Sequence, residues 1–79
     1  MGTQRLPQVN GARVVQALRR AGWQTERIRG SHHVLFHPDK VGATIVVPVH
    51  PRPIKKGLLA DILDTAGLSI QEFSGLLWG

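Results

Sequence analysis

Apolar side chains recur at helical spacing at the two ends of the chain and at strand spacing between them. The first helical segment has apolar residues three or four positions apart, at Val14, Val15, Leu18 and Ala21. Asn10 precedes it as a candidate N-cap, and Gly22 follows as a helix stop. The pattern therefore predicts a helix over residues 11–21.

Three segments rich in β-formers follow, over residues 23–29, 32–37 and 44–49. Gly30 and Ser31 supply a tight turn between the first two. A six-residue loop over 38–43 separates the second from the third. The composition of these segments predicts three consecutive antiparallel strands.

The length of the second loop predicts how the second and third strands pair. With six residues in the loop, His37 pairs with Thr44, and one core face carries Val34, Phe36, Ile45, Val47 and Val49. His32 then lies at the end of its strand, at the edge of the core face. A slip of one residue would exchange the two faces.

Prolines interrupt regular structure after the third strand, at positions 48, 51 and 53. They predict a stiff, extended connector over residues 49–53. A second helix follows over 54–66, with Gly67 as its stop. Ser69 and Glu72 have the spacing of a capping box and begin a short last helix.

The order of elements predicts an α+β fold with one antiparallel sheet. Both main helices pack on one face of the sheet, which leaves the other face open to solvent or to a partner. We expect a single domain over residues 1–79, with an irregular lead-in over 1–9.

Composition narrows the class of protein. Ten Lys and Arg stand against five Asp and Glu, a formal charge of +5, which favours a polyanionic partner. The chain has no cysteine, so disulfides and thiolate zinc sites are excluded. No apolar stretch approaches the roughly 18 residues of a membrane span, and the first residues lack the apolar core of a secretory leader. We expect a cytoplasmic protein without membrane contact.

Three of the four histidines lie between Gly30 and Pro38. Because strand side chains alternate between faces, His32 and His33 do not serve one site. His33 and His37 share a face but lie about 13 Å apart at ~3.3 Å per residue, so the cluster does not suit zinc unless a bulge rearranges it. Histidine both accepts and gives a proton near neutral pH, so His32 on a basic chain suggests chemistry on a phosphodiester. The alternative is that His32 only fills the end of the sheet. His50 is predicted to emerge close to it.

The residues around these histidines have two interpretations each. Gly30 either lets a phosphate approach the backbone closely or only permits the tight turn. Ser31 either donates a hydrogen bond to that phosphate or only stabilises the turn. Lys55 and Lys56 begin the second helix, where the helix dipole favours anions. Together with Arg52, which precedes them, they form a candidate phosphate site. The alternative is that these charges are distributed at random over a solvated helix surface.

Several short motifs occur in a fixed order along the chain. They are residues 18–23 (LRRAGW), 30–33 (GSHH), 37–39 (HPD), 46–50 (VVPVH), 54–57 (IKKG) and 62–69 (ILDTAGLS). Together they resemble the HicA toxin family, the small mRNA interferases of bacterial toxin–antitoxin pairs. The resemblance covers about residues 10 to 73. One departure is Phe36, where members of the family often have Arg or Lys.

The resemblance implies a fold like the double-stranded-RNA-binding domain and a ribonuclease activity that arrests translation. It places the catalytic histidine at His32 and the accompanying glycine at Gly30. It also implies that mRNA is the substrate and that a HicB-like antitoxin covers the active site. We expect metal-free cleavage without a cofactor, with His50 as a possible second proton-transfer group and the free protein as a monomer. The alternatives are a non-catalytic double-stranded RNA-binding module and a small protein-interaction module.

Overall fold

The computed structural model describes residues 5–78 as three helices and three strands. The elements are α1 (Gly11–Arg20), β1 (Gln24–Arg29), β2 (His32–Phe36), β3 (Thr44–Pro48), α2 (Lys56–Ala66) and α3 (Ile70–Trp78). This is the predicted order, with boundaries moved by one or two residues. Residues 1–4 of the predicted lead-in and residue 79 lie outside the described part.

The strands form one antiparallel sheet in the order β1-β2-β3. Leu35, Ile45 and Val47 enter the same buried cluster as the apolar sides of α1 and α2. Both main helices therefore cover one face of the sheet and leave the other open. The α+β prediction is confirmed, and the arrangement is consistent with the double-stranded-RNA-binding-domain type. No helix within residues 5–78 has the length and apolar character needed to cross a membrane.

The helix ends are formed by the residues that the sequence indicates. The Asn10 side chain accepts a hydrogen bond from the Arg13 N–H at 3.1 Å. Gly67 ends α2 in the left-handed conformation. Ser69 and Glu72 cap each other's backbone N–H groups at 2.8 and 3.0 Å. The backbone N–H and the hydroxyl of Ser69 hold the pKa of Glu72 below its usual value.

Two arginines of α1 hold the end of α3 in place. The Arg13 side chain donates to the Leu77 carbonyl at 3.2 Å and lies 5.0 Å from the centre of the Trp78 ring. The Arg20 side chain donates to the Leu76 carbonyl at 2.5 Å. Cations at the carbonyl end of a helix complement its dipole. Part of the basic excess of this chain thus serves the fold.

The predicted pairing of β2 with β3 is wrong by one residue. Phe36, not His37, lies opposite Thr44, and His32 lies opposite Pro48. In this register Leu35 faces the helices together with Ile45 and Val47. The prediction was right for the faces of β3 and wrong for those of β2, because one residue of slip exchanges them.

His37 is the reason for the difference. Its Nδ1 accepts from the Asp39 N–H at 3.1 Å, and its Nε2 lies 3.2 Å from the Ala21 carbonyl. Its ring packs edge-on against Trp23, with centroids 5.4 Å apart. His37 therefore leaves the strand and joins the loop, which has seven residues instead of six. A proton on Nε2 lets the ring donate to the Ala21 carbonyl while Nδ1 accepts from the Asp39 N–H.

The connector after β3 is fixed to the lead-in. The Ile54 N–H donates to the Val9 carbonyl at 2.8 Å, and Asn10 forms a β-bridge with Pro53. Ile54 is buried and lies before α2, which begins at Lys56 and not at residue 54 as predicted. The connector bends at Pro51 and Arg52, so it is not extended throughout as predicted.

Two glycines with similar backbone angles provide a test of the His37 contact. A Cβ at Gly22 (φ +99°) would lie 2.7 Å from His37 Nε2, whereas a Cβ at Gly42 (φ +84°) would meet no atom within 4 Å. Gly42→Ala is expected to lower the free energy of unfolding by about 1–2 kcal/mol through backbone strain alone. Gly22→Ala is expected to cost about 1–3 kcal/mol more, because His37 must also shift. Urea unfolding measures both, and equal losses would contradict the close contact between Gly22 and the His37 ring.

Candidate active site

His32 is exposed on the open face of the sheet. It is the first residue of β2 and lies between Arg29 on β1 and Pro48 on β3. Directly opposed residues of antiparallel strands share a face, so these three side chains form one row across the sheet. The prediction that His32 ends its strand is confirmed. The prediction that it lies on the core side is wrong, since the shift in register turns it to the open face.

The turn before His32 is tied to the connector. Gly30 has φ +58°, and Ser31 has no positive φ, which suits a two-residue type II′ hairpin turn. A Cβ at Gly30 would meet no atom within 4 Å, so the conformation of the turn, not crowding, favours glycine there. The Ser31 carbonyl accepts from the Val49 N–H at 2.6 Å. The Ser31 hydroxyl has no hydrogen-bond partner within residues 5–78.

A groove of about 570 Å³ continues the row beyond Pro48. It is lined by Pro48, His50, Pro51, Arg52, Pro53, Ile54, Lys55 and Leu58. Three of the predicted site residues, His50, Arg52 and Lys55, therefore meet in one groove, next to the residue that pairs with His32. Lys56 is exposed but does not line the groove.

The start of α2 has the unusual charge pattern that the sequence indicates. Lys55 is the N-cap and makes no capping hydrogen bond with its side chain, and the first turn holds no acidic residue. Lys55 and Lys56 are both exposed. The unpaired N–H groups of a helix start and two lysines together create a positive region at this end of the groove.

The remaining histidines have different surroundings. His33 faces the helix side of the sheet, opposite Ile28 and Val47, and is partly buried. His37 is occupied by its bonds in the loop. Within residues 5–78, no three His, Asp or Glu side chains form a group that could hold a metal ion. The structure thus separates the three clustered histidines into one on the open face, one beside the core and one in the loop.

Arg27 and Arg29 are exposed cations on the open face that no sequence motif indicates. Arg27 lies opposite Val34, and Arg29 lies opposite His32. A signal for Arg29 was present in the sequence, because a two-residue hairpin turn pairs the residue before it with the residue after it. Arg27 lies on the same face as Arg29 because β1 is regular between these two residues. The bulge in the strand comes earlier, between Thr25 and Arg27.

The arrangement suits proton transfer beside a bound anion. An exposed imidazole can approach a ligand from the open face, and cations lie on both sides of it, on β1 and in the groove. Cations so placed stabilise negative charge that develops on a phosphate in a transition state. The strands and the Ser31–Val49 bond hold His32 on a rigid element, as a catalytic group requires.

Comparison with models of protein families finds a match over most of the chain. A family model described as the HicA toxin of bacterial toxin–antitoxin systems matches residues 11–68. The matched region runs from the start of α1 to just beyond α2 and contains every candidate residue of the site. No curated protein matches the chain in a direct sequence comparison.

Proposed function

The chain belongs to the HicA toxin family of bacterial toxin–antitoxin systems, and on this premise we propose that it is an mRNA interferase whose proton-transfer group is His32. The observation that carries the proposal is the exposed position of His32 on the open face, in one row with Arg29 and Pro48. A histidine that only filled the end of the sheet would not need a free approach from solvent.

In the proposed mechanism, His32 acts as general base or general acid on the scissile phosphodiester. Arg52, Lys55 and Lys56 balance the charge of the phosphate, and the exposed turn at Gly30 lets the RNA backbone approach. The second proton transfer falls to water, to the Ser31 hydroxyl or to His50. His50 lines the groove that begins at Pro48, the cross-strand neighbour of His32, which supports its candidacy. The reaction proceeds without a metal or a cofactor.

A toxin of such a system has an antitoxin partner. We propose that this partner is HicB-like and that it inhibits the toxin by covering the open face around His32. We also propose that the free toxin is a monomer.

The alternative of a non-catalytic double-stranded RNA-binding module draws on the fold and the basic charge. Such modules contact phosphates and 2′-hydroxyl groups of the A-form helix and need no proton-transfer group. The role of His32 therefore decides between a nuclease and a binding module.

His32→Ala is expected to abolish cleavage of a single-stranded transcript in EDTA, with a loss of at least about 100-fold in rate. The matched control is His33→Ala, which removes the adjacent imidazole from the opposite face and is expected to retain cleavage. Gel analysis of a labelled transcript measures both variants, with thermal unfolding as a check of the fold. Equal cleavage by wild type and His32→Ala would refute the assignment, and wild-type activity that EDTA abolishes would show a metal-dependent reaction instead.

Replacement of both Lys55 and Lys56 by Ala is expected to weaken RNA binding about tenfold or more without unfolding the domain, because two phosphate contacts are lost. The slope of log Kd against log salt should fall by about 1–2. A double variant of two exposed cations elsewhere, Arg19→Ala with Lys40→Ala, removes the same charge and serves as the control. An unchanged dissociation constant, or equal weakening in the control, would show that the start of α2 does not bind RNA.

A further inference from the structure

We propose that the RNA backbone crosses the open face of the sheet beside His32 and that Arg29, with support from Arg27, binds its phosphates on the β1 side. This inference rests on the proposed ribonuclease function and extends it to the path of the substrate. It adds a second set of cations, on the opposite side of His32 from the groove.

The position of Arg29 follows from strand pairing. Arg29 and His32 are directly opposed across β1 and β2, so their Cβ atoms are about 4.5–5.5 Å apart on the same face. Both side chains are exposed. An arginine side chain is long enough to reach an anion held against the neighbouring imidazole. A phosphate in contact with His32 therefore lies within reach of the Arg29 guanidinium.

Arg27 continues the basic surface along the same strand. It lies opposite Val34, two residues from Arg29 and on the same face. At about 3.4 Å per residue the two positions are about 6.8 Å apart along β1. Arg27 therefore widens the basic edge at which an RNA strand that crosses the sheet reaches His32.

Neither arginine is used by the fold. Arg13 and Arg20 bind the end of α3, whereas Arg29 has no hydrogen bond or ion pair with any residue of 5–78. Arg27 lies 4.0 Å from its chain neighbour Glu26, and both side chains are about half exposed. An exposed pair at that distance contributes little to stability. A free, planar guanidinium suits bidentate binding of phosphate oxygens.

The two sets of cations define a direction across the sheet. Arg29 lies on one side of His32, and Pro48 on the other side leads into the groove with Arg52 and Lys55. An RNA strand that runs from β1 towards β3 would meet cations before and after His32. The scissile phosphate would then be held from both sides at the imidazole.

The experiment measures binding in a protein that does not cut. In the His32→Ala background, the Kd for a labelled 20-nucleotide single-stranded RNA is measured by fluorescence anisotropy at several salt concentrations. Adding Arg29→Ala is expected to weaken binding about tenfold at low salt and to lower the salt slope by about 1. Adding Arg27→Ala as well should lower the slope by about 2 in total.

Two variants test whether the loss of binding depends on the position of Arg29 or only on the removal of one positive charge. Arg19→Ala, on the exposed side of α1, removes the same charge and is expected to change Kd less than twofold. Arg29→Lys keeps the charge and should restore the salt slope while losing part of the affinity, because lysine lacks the bidentate geometry. Thermal unfolding of each variant checks the fold, and Arg29→Lys also preserves the test should Arg29→Ala unfold.

The outcomes distinguish this inference from the proposed function. If His32→Ala binds RNA and wild type cuts it, but Arg29→Ala behaves like Arg19→Ala, the β1 path is wrong and the nuclease assignment stands. If wild type neither binds nor cuts RNA, the proposed function fails and the path fails with it. A loss specific to Arg29→Ala, with partial recovery in Arg29→Lys, supports the path.

Discussion

The hydrogen bonds of His37 determine which face of the sheet each β2 side chain occupies. By accepting from Asp39 and bonding the carbonyl of Ala21, the ring ends the strand at Phe36 and lengthens the following loop to seven residues. The pairing with β3 shifts by one residue as a result, and Leu35 enters the core while His32 turns outward. A histidine with a structural role thus places another histidine where it can meet a ligand.

The arginines divide in a similar way between fold and surface. The α1 residues Arg13 and Arg20 bind carbonyl groups at the end of α3 and stabilise its packing. The β1 residues Arg27 and Arg29 lie beside His32 on the open face. Net charge alone does not distinguish the two groups, because each cation counts equally in it. Only the contacts of each guanidinium show which of them remain available to a polyanion.

The sequence predicts the helices and strands correctly, but it does not predict which side chains of β2 face the core. The Asn10 cap, the Gly67 stop and the Ser69–Glu72 capping box depend on neighbours within a few residues, so local patterns predict them well. Which way His32 points depends on the contact of His37 with Ala21, 16 residues away along the chain. Loop length is equally ambiguous, since a residue at the end of a strand can continue the pairing or leave it. His50, Arg52 and Lys55 lie close together because the proline connector holds them near the start of α2. The sequence did not predict that their groove lies beside His32, because this follows from the pairing of His32 with Pro48.

The central claim is that the imidazole of His32, and not that of His37, meets the RNA. The most direct measurement follows the histidine ring signals by NMR during titration with a single-stranded RNA whose 2′-hydroxyl groups are methylated, which removes them as nucleophiles. Gel analysis of the RNA after the titration shows that it is intact. The ring signals of His32 are expected to shift strongly and to saturate with the added RNA, while those of His37 stay unchanged in its bonds to Ala21 and Asp39. Unmoved His32 signals in a protein that binds the RNA, or larger shifts at His37, would contradict the account.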